Sequence, residues 1–241
     1  MKWHPALFKP GMVKQIIGDT KRQTRRIPTY MTACVDGHGI GKKAWESFDF
    51  DFDTAYVDPG PSPATNAGPY LQVYSQTHET THRLYPKWMV GDRLWIRHNF
   101  WKYTPDSNPE DVAAWDDVTK CMRLRFGNAL LDCDPDVTGD EWEWKPSIHM
   151  PRWASRVNVE ITGRRIECIR DITPADVQAE GVPLYLESGA PSADCRINFI
   201  DLWDSINGKP RKGGRDVSWS RNPPVFVFDF RRLTGEEVAS V

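Results

Sequence analysis

The amino-acid sequence predicts an α+β fold, on three observations. Apolar and polar residues alternate in several separated runs, which is the mark of strands buried on one face. Other segments read as helices: two repeat apolar residues at helical spacing, and two open with a proline, whose fixed φ suits the first helical turn. No internal repeat and no linker interrupts the 241 residues. That length suits one large domain or two small ones, and a single domain over 1–241 is the expectation.

The elements follow in chain order. Ala6, Leu7 and Phe8 read as a short strand. Pro10 opens a helix on which Met12, Val13, Ile16 and Ile17 recur at helical spacing, and Gly18 stops it. An extended segment, Gln23 to Ile27, closes at Pro28. Residues 29–69 look irregular, except that Phe48, Phe50 and Phe52 alternate with Asp as in a half-buried strand. Residues 70–85 are strand-like from Leu71 and Val73 onward. Gly91 and Asp92 form a turn before a strand that places Leu94 and Ile96 on one face. Residues 104–143 are a polar, acidic excursion. Val157, Val159 and Ile161 continue as a strand, with a turn or bulge expected at Thr162-Gly163-Arg164, and Ile166, Cys168 and Ile169 follow. Thr173 caps a helix with Pro174 at its first position, running to Gly181. A further helix spans roughly 194–206, with Ile197, Ile200, Leu202 and Trp203 on its apolar side. The strand Val225 to Phe230 ends the fold.

Composition narrows the function. The net charge of −2 argues against global polyanion binding. The charge is uneven, however: Lys and Arg crowd the first thirty residues, and acids crowd 106–143. Such asymmetry fits local anion binding. The five cysteines form no C-x-x-C pair, which fits reduced thiols rather than a disulfide frame. No signal-peptide pattern and no apolar run near 18 residues is present, so a cytoplasmic protein without a membrane span is expected. Eleven tryptophans supply core packing, and some could stack on bases.

The densest chemistry lies in Lys21-Arg22-Gln23-Thr24-Arg25-Arg26. Alternation puts Arg22, Thr24 and Arg26 on one strand face. A lysine beside a threonine can serve as base and nucleophile, and neighbouring cations favour the neutral amine. The same cluster can hold a phosphate, because Arg forks and Lys point charges both suit one. It can also be a solvated basic turn. A second pattern, His78-Glu79-Thr80-Thr81-His82, matches the H-E-x-x-H of zinc hydrolases. Its threonines and the following Pro86 disfavour a helix, and in a strand the two histidines stand about 13 Å apart. A zinc-dependent hydrolase using these residues is a minor alternative; no metal or cofactor is expected.

Together these residues resemble a family. Lys21-x-x-Thr24-x-Arg26 after a short helix resembles the ASCH domain, a PUA-like fold. Gly91-Asp92-Arg93-Leu94-Trp95-Ile96-Arg97 looks like the family's GD-L-V strand, Asp171 to Gly181 like its helix carrying a Glu, and Val225 to Phe230 like its last strand. Trp144 to Pro151 and Leu202 to Gly208 resemble the long ASCH-type proteins of tailed phages and prophages. The resemblance covers most of the chain and implies a mixed β-barrel with flanking helices and two insertions, at about 30–88 and 102–143. One departure stands out: where the family places Gly two residues before the Lys, this chain has Asp19. Small relatives include an N(4)-acetylcytidine amidohydrolase, which implies Lys21 as base, Thr24 as nucleophile and Glu180 as proton donor. Arg22, Arg25, Arg26, Trp95 and Arg97 are then the expected ligand-binding residues. The expected partner is a nucleoside, RNA or single-stranded nucleic acid, in the host cytoplasm if phage-encoded. A non-catalytic nucleic-acid-binding module in phage biology is the alternative.

Overall fold

The computed structural model describes residues 2–28, 31–34, 50–60, 68–75, 79–103, 142–152, 155, 157–183, 196–208 and 216–239. The fold is α+β. It divides into two compact units: Met1–Thr20, Gly91–Glu160 and Arg231–Val241 form the first, Lys21–Val90 and Ile161–Phe230 the second. No described helix is long and apolar enough to cross a membrane.

In the first unit, β1 (Trp3–Leu7) lies parallel to β7 (Arg93–Arg97), with Ala6 opposite Ile96. The opening residues of β10 (Asn158–Cys168) run antiparallel on the other side of β7, Val159 facing Leu94. Leu94, Ile96 and Val159 are fully buried, as the alternation predicts. A separate ladder pairs β8 (Phe100–Tyr103) with β9 (Trp142–Lys145). Helix α1 (Pro10–Ile17) buries Val13 and Ile16. Its end is a Schellman motif: the amide of Asp19 donates to Ile16 O and that of Thr20 to Gln15 O. Asp19, not Gly18, takes the left-handed conformation, with φ 58. Aspartate is among the few non-glycine residues that take this conformation readily.

In the second unit, β2 (Gln23–Arg26) pairs antiparallel with β11 (Pro224–Arg232), and the rest of β10 lies on the other side of β11. Four strands, β3 (Met31–Cys34), β4 (Phe50–Asp58), β5 (Tyr70–Ser75) and β6 (Thr80–Leu84), form a second sheet in the order β3-β6-β5-β4. Among the described residues of the stretch expected to be irregular, 31–34 and 50–58 are therefore sheet, β3 paired with the distant β6 and β4 with the next strand, β5. Helix α2 (Pro174–Ala179) begins with a capping box between Thr173 and Asp176. It ends in a second Schellman motif, Gly181 N to Gln178 O and Val182 N to Val177 O, with Gly181 at φ 81. Helix α3 (Ile197–Asn207) buries Phe199 and Trp203. These join Ile169, Ile172, Val177, Val182, Val225 and Val227 in one apolar cluster. Helix α4 (Gly235–Ala239) closes the described chain within the first unit.

Two expectations need correction here. Thr162-Gly163-Arg164 is not a turn, because β10 runs straight through it. The glycine has another cause: a Cβ at Gly163 would meet the Asp229 carboxylate at 2.7 Å. Gly163 permits a close approach inside a strand. On α3, Ile197 is exposed, and Phe199 takes the buried place.

Candidate functional site

The site begins where backbone pairing fixes two short segments. Lys21 and Glu180 form an isolated antiparallel bridge. The amide of Arg22 donates to Ala179 O at 2.7 Å, and that of Phe230 donates to Arg22 O at 2.9 Å. The turn after Thr20 is thereby held between the end of α2 and strand β11. Because α2 stops in its Schellman motif, Glu180 sits at the C-cap with its chain turned toward Lys21.

The two side chains meet inside the second unit. Lys21 Nζ donates to Glu180 Oε2 at 2.5 Å and to Glu180 O at 2.8 Å. Lys21 is 1 % exposed and Glu180 4 %. Burial holds the Lys21 amine below its ordinary value, and the charges of Arg26 and Arg25 act the same way. The Glu180 carboxylate opposes the shift without cancelling it. Arg26 is lowered too, by burial.

Around this pair lies a layer of ions. Arg25 Nη1 donates to Glu180 Oε1 at 3.2 Å and to Gln23 Oε1 at 2.5 Å. Its Nε and Nη2 both donate to Glu167 Oε1, at 2.9 and 2.6 Å. Gln23 Nε2 donates to Asp229 Oδ1 at 2.7 Å. Arg165 holds the outer oxygens of Glu167, Asp176 and Asp229 at 2.9, 2.7 and 3.4 Å. Burial pushes the Asp176 carboxyl up, but hydrogen bonds from Thr173 and Gln23 and the charge of Arg25 outweigh it and bring it to about 2.

The structure thus brings Lys21 and Glu180 together and adds Arg25 as their neighbour. Thr24 is buried on the opposite face of β2 from Gln23 and Arg25, paired in register with Phe228. Arg26 shares the face of Thr24, and its charge is coupled to Glu180. Phe228 in turn meets the buried ring of Trp88 edge-on, with centroids 4.9 Å apart. Arg22 is exposed. Arg25 is 5 % exposed, and its donors go to Gln23, Glu167 and Glu180. Trp95 and Arg97 belong to the first unit. There the Arg97 guanidinium lies 5.4 Å from the Trp95 ring centroid and donates to the carbonyls of Ser147 and Ile148.

The H-E-x-x-H pattern does not form a metalloprotease helix. Glu79 sits in a turn with φ 49, and His82 is buried in strand β6; His78 lies outside the described residues. Among the described residues no cluster of three or more His, Cys, Asp or Glu could hold a metal. Residues 104–141 of the acidic stretch also lie outside the described residues.

Sequence reading missed Glu167, Asp176, Asp229 and Gln23 as partners of the site. Alternation along 23–25 does put Gln23 and Arg25 on one face, but the β11–β2 register is needed to bring Asp229 opposite Gln23, and Glu167 and Asp176 come from β10 and α2. Compared with protein families, with curated proteins and with solved structures, the chain matches none.

Proposed function

We propose that this chain is a nucleoside- or RNA-binding protein of the ASCH, PUA-like type that hydrolyses an amide on a modified nucleoside such as N(4)-acetylcytidine. The observation that carries the reading is the buried Lys21–Glu180 pair, 2.5 Å apart, with its amine lowered. Acyl transfer from nitrogen needs a base for the nucleophile and an acid for the leaving amine. Lys21 as base and Glu180 as acid, in contact through the Nζ–Oε2 hydrogen bond, would supply both.

The steps balance. In this reading Lys21 Nζ takes the Thr24 hydroxyl proton as Oγ1 attacks the acyl carbon, a step that needs Thr24, on the face of β2 opposite Arg25, to reach the Lys21–Glu180 pair. Glu180 gives its proton to the departing exocyclic nitrogen as the C–N bond breaks, releasing cytidine. Water then cleaves the acyl-threonine ester to acetate and restores the hydroxyl. Arg26, which shares a strand face with Thr24, would stabilise negative charge developing on the acyl oxygen in this reading.

A second reading, a non-catalytic nucleic-acid-binding module, is favoured by the near-complete burial of both Lys21 and Thr24. One experiment separates the two. The protein is incubated with N(4)-acetylcytidine, and cytidine and acetate are quantified. Hydrolysis by the wild type, lost in Lys21→Met and Thr24→Val, supports the enzyme. Equal background in all three overturns it. Salt-dependent RNA binding that survives Thr24→Val but not Arg26→Ala then identifies the binding module.

A further inference from the structure

The two oxygens of Glu180 have different partners. Oε2 accepts from Lys21 Nζ at 2.5 Å, and Oε1 accepts from Arg25 Nη1 at 3.2 Å. A guanidinium has donors only and stays charged, so an oxygen it faces cannot carry a proton toward it. Any proton on Glu180 is therefore confined to Oε2, the side shared with Lys21.

Arg25 is itself held from outside the pair. Its Nε and Nη2 fork onto Glu167, its Nη1 reaches Gln23, and its Nη2 lies 3.5 Å from Asp176. Its guanidinium also lies 5.9 Å from the Phe199 ring centroid, beside the apolar cluster. Glu167 and Asp176 each give their second oxygen to Arg165. Asp229 is shared between Gln23 and Arg165. The charged groups facing the pair are thus Arg25 and Arg26 from β2, with Glu167, Asp176, Asp229 and Arg165 behind them. Only a planar fork can serve Glu167, Gln23, Asp176 and Glu180 at once, which a lysine's single ammonium cannot.

We propose that Arg25 is a positioning residue: by occupying Glu180 Oε1 it presents Oε2 to Lys21 and confines the transferable proton to that side. The inference rests on reading Lys21 and Glu180 as a proton-transfer pair, yet Arg25 touches neither nucleophile nor leaving group.

Arg25→Gln and Arg25→Lys test it, with Glu167→Gln as a variant that loosens Arg25 without touching Glu180. Two readouts are taken: the Lys21 ¹⁵Nζ titration without substrate, and kcat and KM for N(4)-acetylcytidine against pH. Removing the neighbouring cation in Arg25→Gln should move the Lys21 midpoint up, and the acid limb of kcat/KM should follow it. kcat should fall by about tenfold to a hundredfold, with KM little changed, as expected for misplacement of a catalytic group. Arg25→Lys should keep the charge and still lose most of kcat, and Glu167→Gln should lower kcat by less while moving the Lys21 midpoint the opposite way, down, because it removes a nearby carboxylate. A Lys21 titration identical to wild type in folded Arg25→Gln and Glu167→Gln overturns the proposal. If the wild type has no hydrolase activity, the reading of the site fails separately, and the Lys21 titration still decides the role of Arg25.

Discussion

Two sets of ion pairs in this protein have nearly the same geometry and different physics. In the second unit, Lys21 meets Glu180 at 2.5 Å and Arg25 meets Glu167 at 2.6 Å. In the first, Arg231 meets Glu160 at 2.5 Å and Glu237 at 2.8 Å. The Lys21 side chain is 0 % exposed and that of Arg231 47 %. Water around Arg231 already satisfies each charge, so its pairs add little. Around Lys21 there is no such alternative, and each charge depends on the others. Short distances are common to both sets. Only the buried set can hold a proton in an unusual place.

The largest break in this comparison comes from removing one member of the buried pair. Lys21→Ala and Glu180→Ala should each cost about 3–5 kcal/mol in urea denaturation, because each leaves an uncompensated buried charge. The double variant Lys21→Met/Glu180→Leu should cost less than either single one. Single losses near zero would mean that water reaches the pair.

The next effect concerns the backbone that aims the pair. Gly181, at φ 81, ends α2 just after Glu180. Gly181→Ala should cost about 1–2 kcal/mol. Asp19→Gly, at φ 58, should instead gain up to about 1 kcal/mol, read from the same denaturation midpoints. A loss at position 19 would show that the Asp19 side chain matters more than its backbone.

Smaller still is the acid response of Asp176. Its folded pKa, about 2, lies below the unfolded value of 3.8. Its contribution is therefore complete above the unfolded value and fades as pH falls through about 2. Asp176→Asn should flatten the loss of stability in that window, and an unchanged acid slope would remove Asp176 from the network. Arg231→Ala should be the smallest of all, with no resolvable change in midpoint. A clear loss there would erase the contrast between the two sets.

The helix ends were readable in the sequence because capping is local. Pro10 and Gly18 frame α1, and Thr173, Pro174 and Gly181 frame α2, each acting through residues within one turn. The strand through Leu94 and Ile96 was equally plain from its alternation. Within 29–69 the start of β4 was legible from the alternation of Phe50 and Phe52 with Asp, but β3 was not, since it is a strand by pairing with β6, some fifty residues on. Gly163 looked like a turn signal, and its reason, the Asp229 carboxylate, lies on another strand. At the site, Lys21 stood out in the sequence by its basic run and the nearby Thr24, whereas Glu180 was named by resemblance alone. The carboxylates that hold Arg25 are brought to it from 142 and 155 residues away, and no local pattern encodes such a meeting.

The central claim is that burial, not the adjacent carboxylate, sets the state of the Lys21 amine. ¹⁵Nζ NMR titration of Lys21 in the wild-type protein, assigned by its loss in Lys21→Met, tests this most directly. The account predicts a midpoint below the ordinary lysine value of 10.5, whereas a midpoint at or above 10.5 would show a plain ion pair and contradict it.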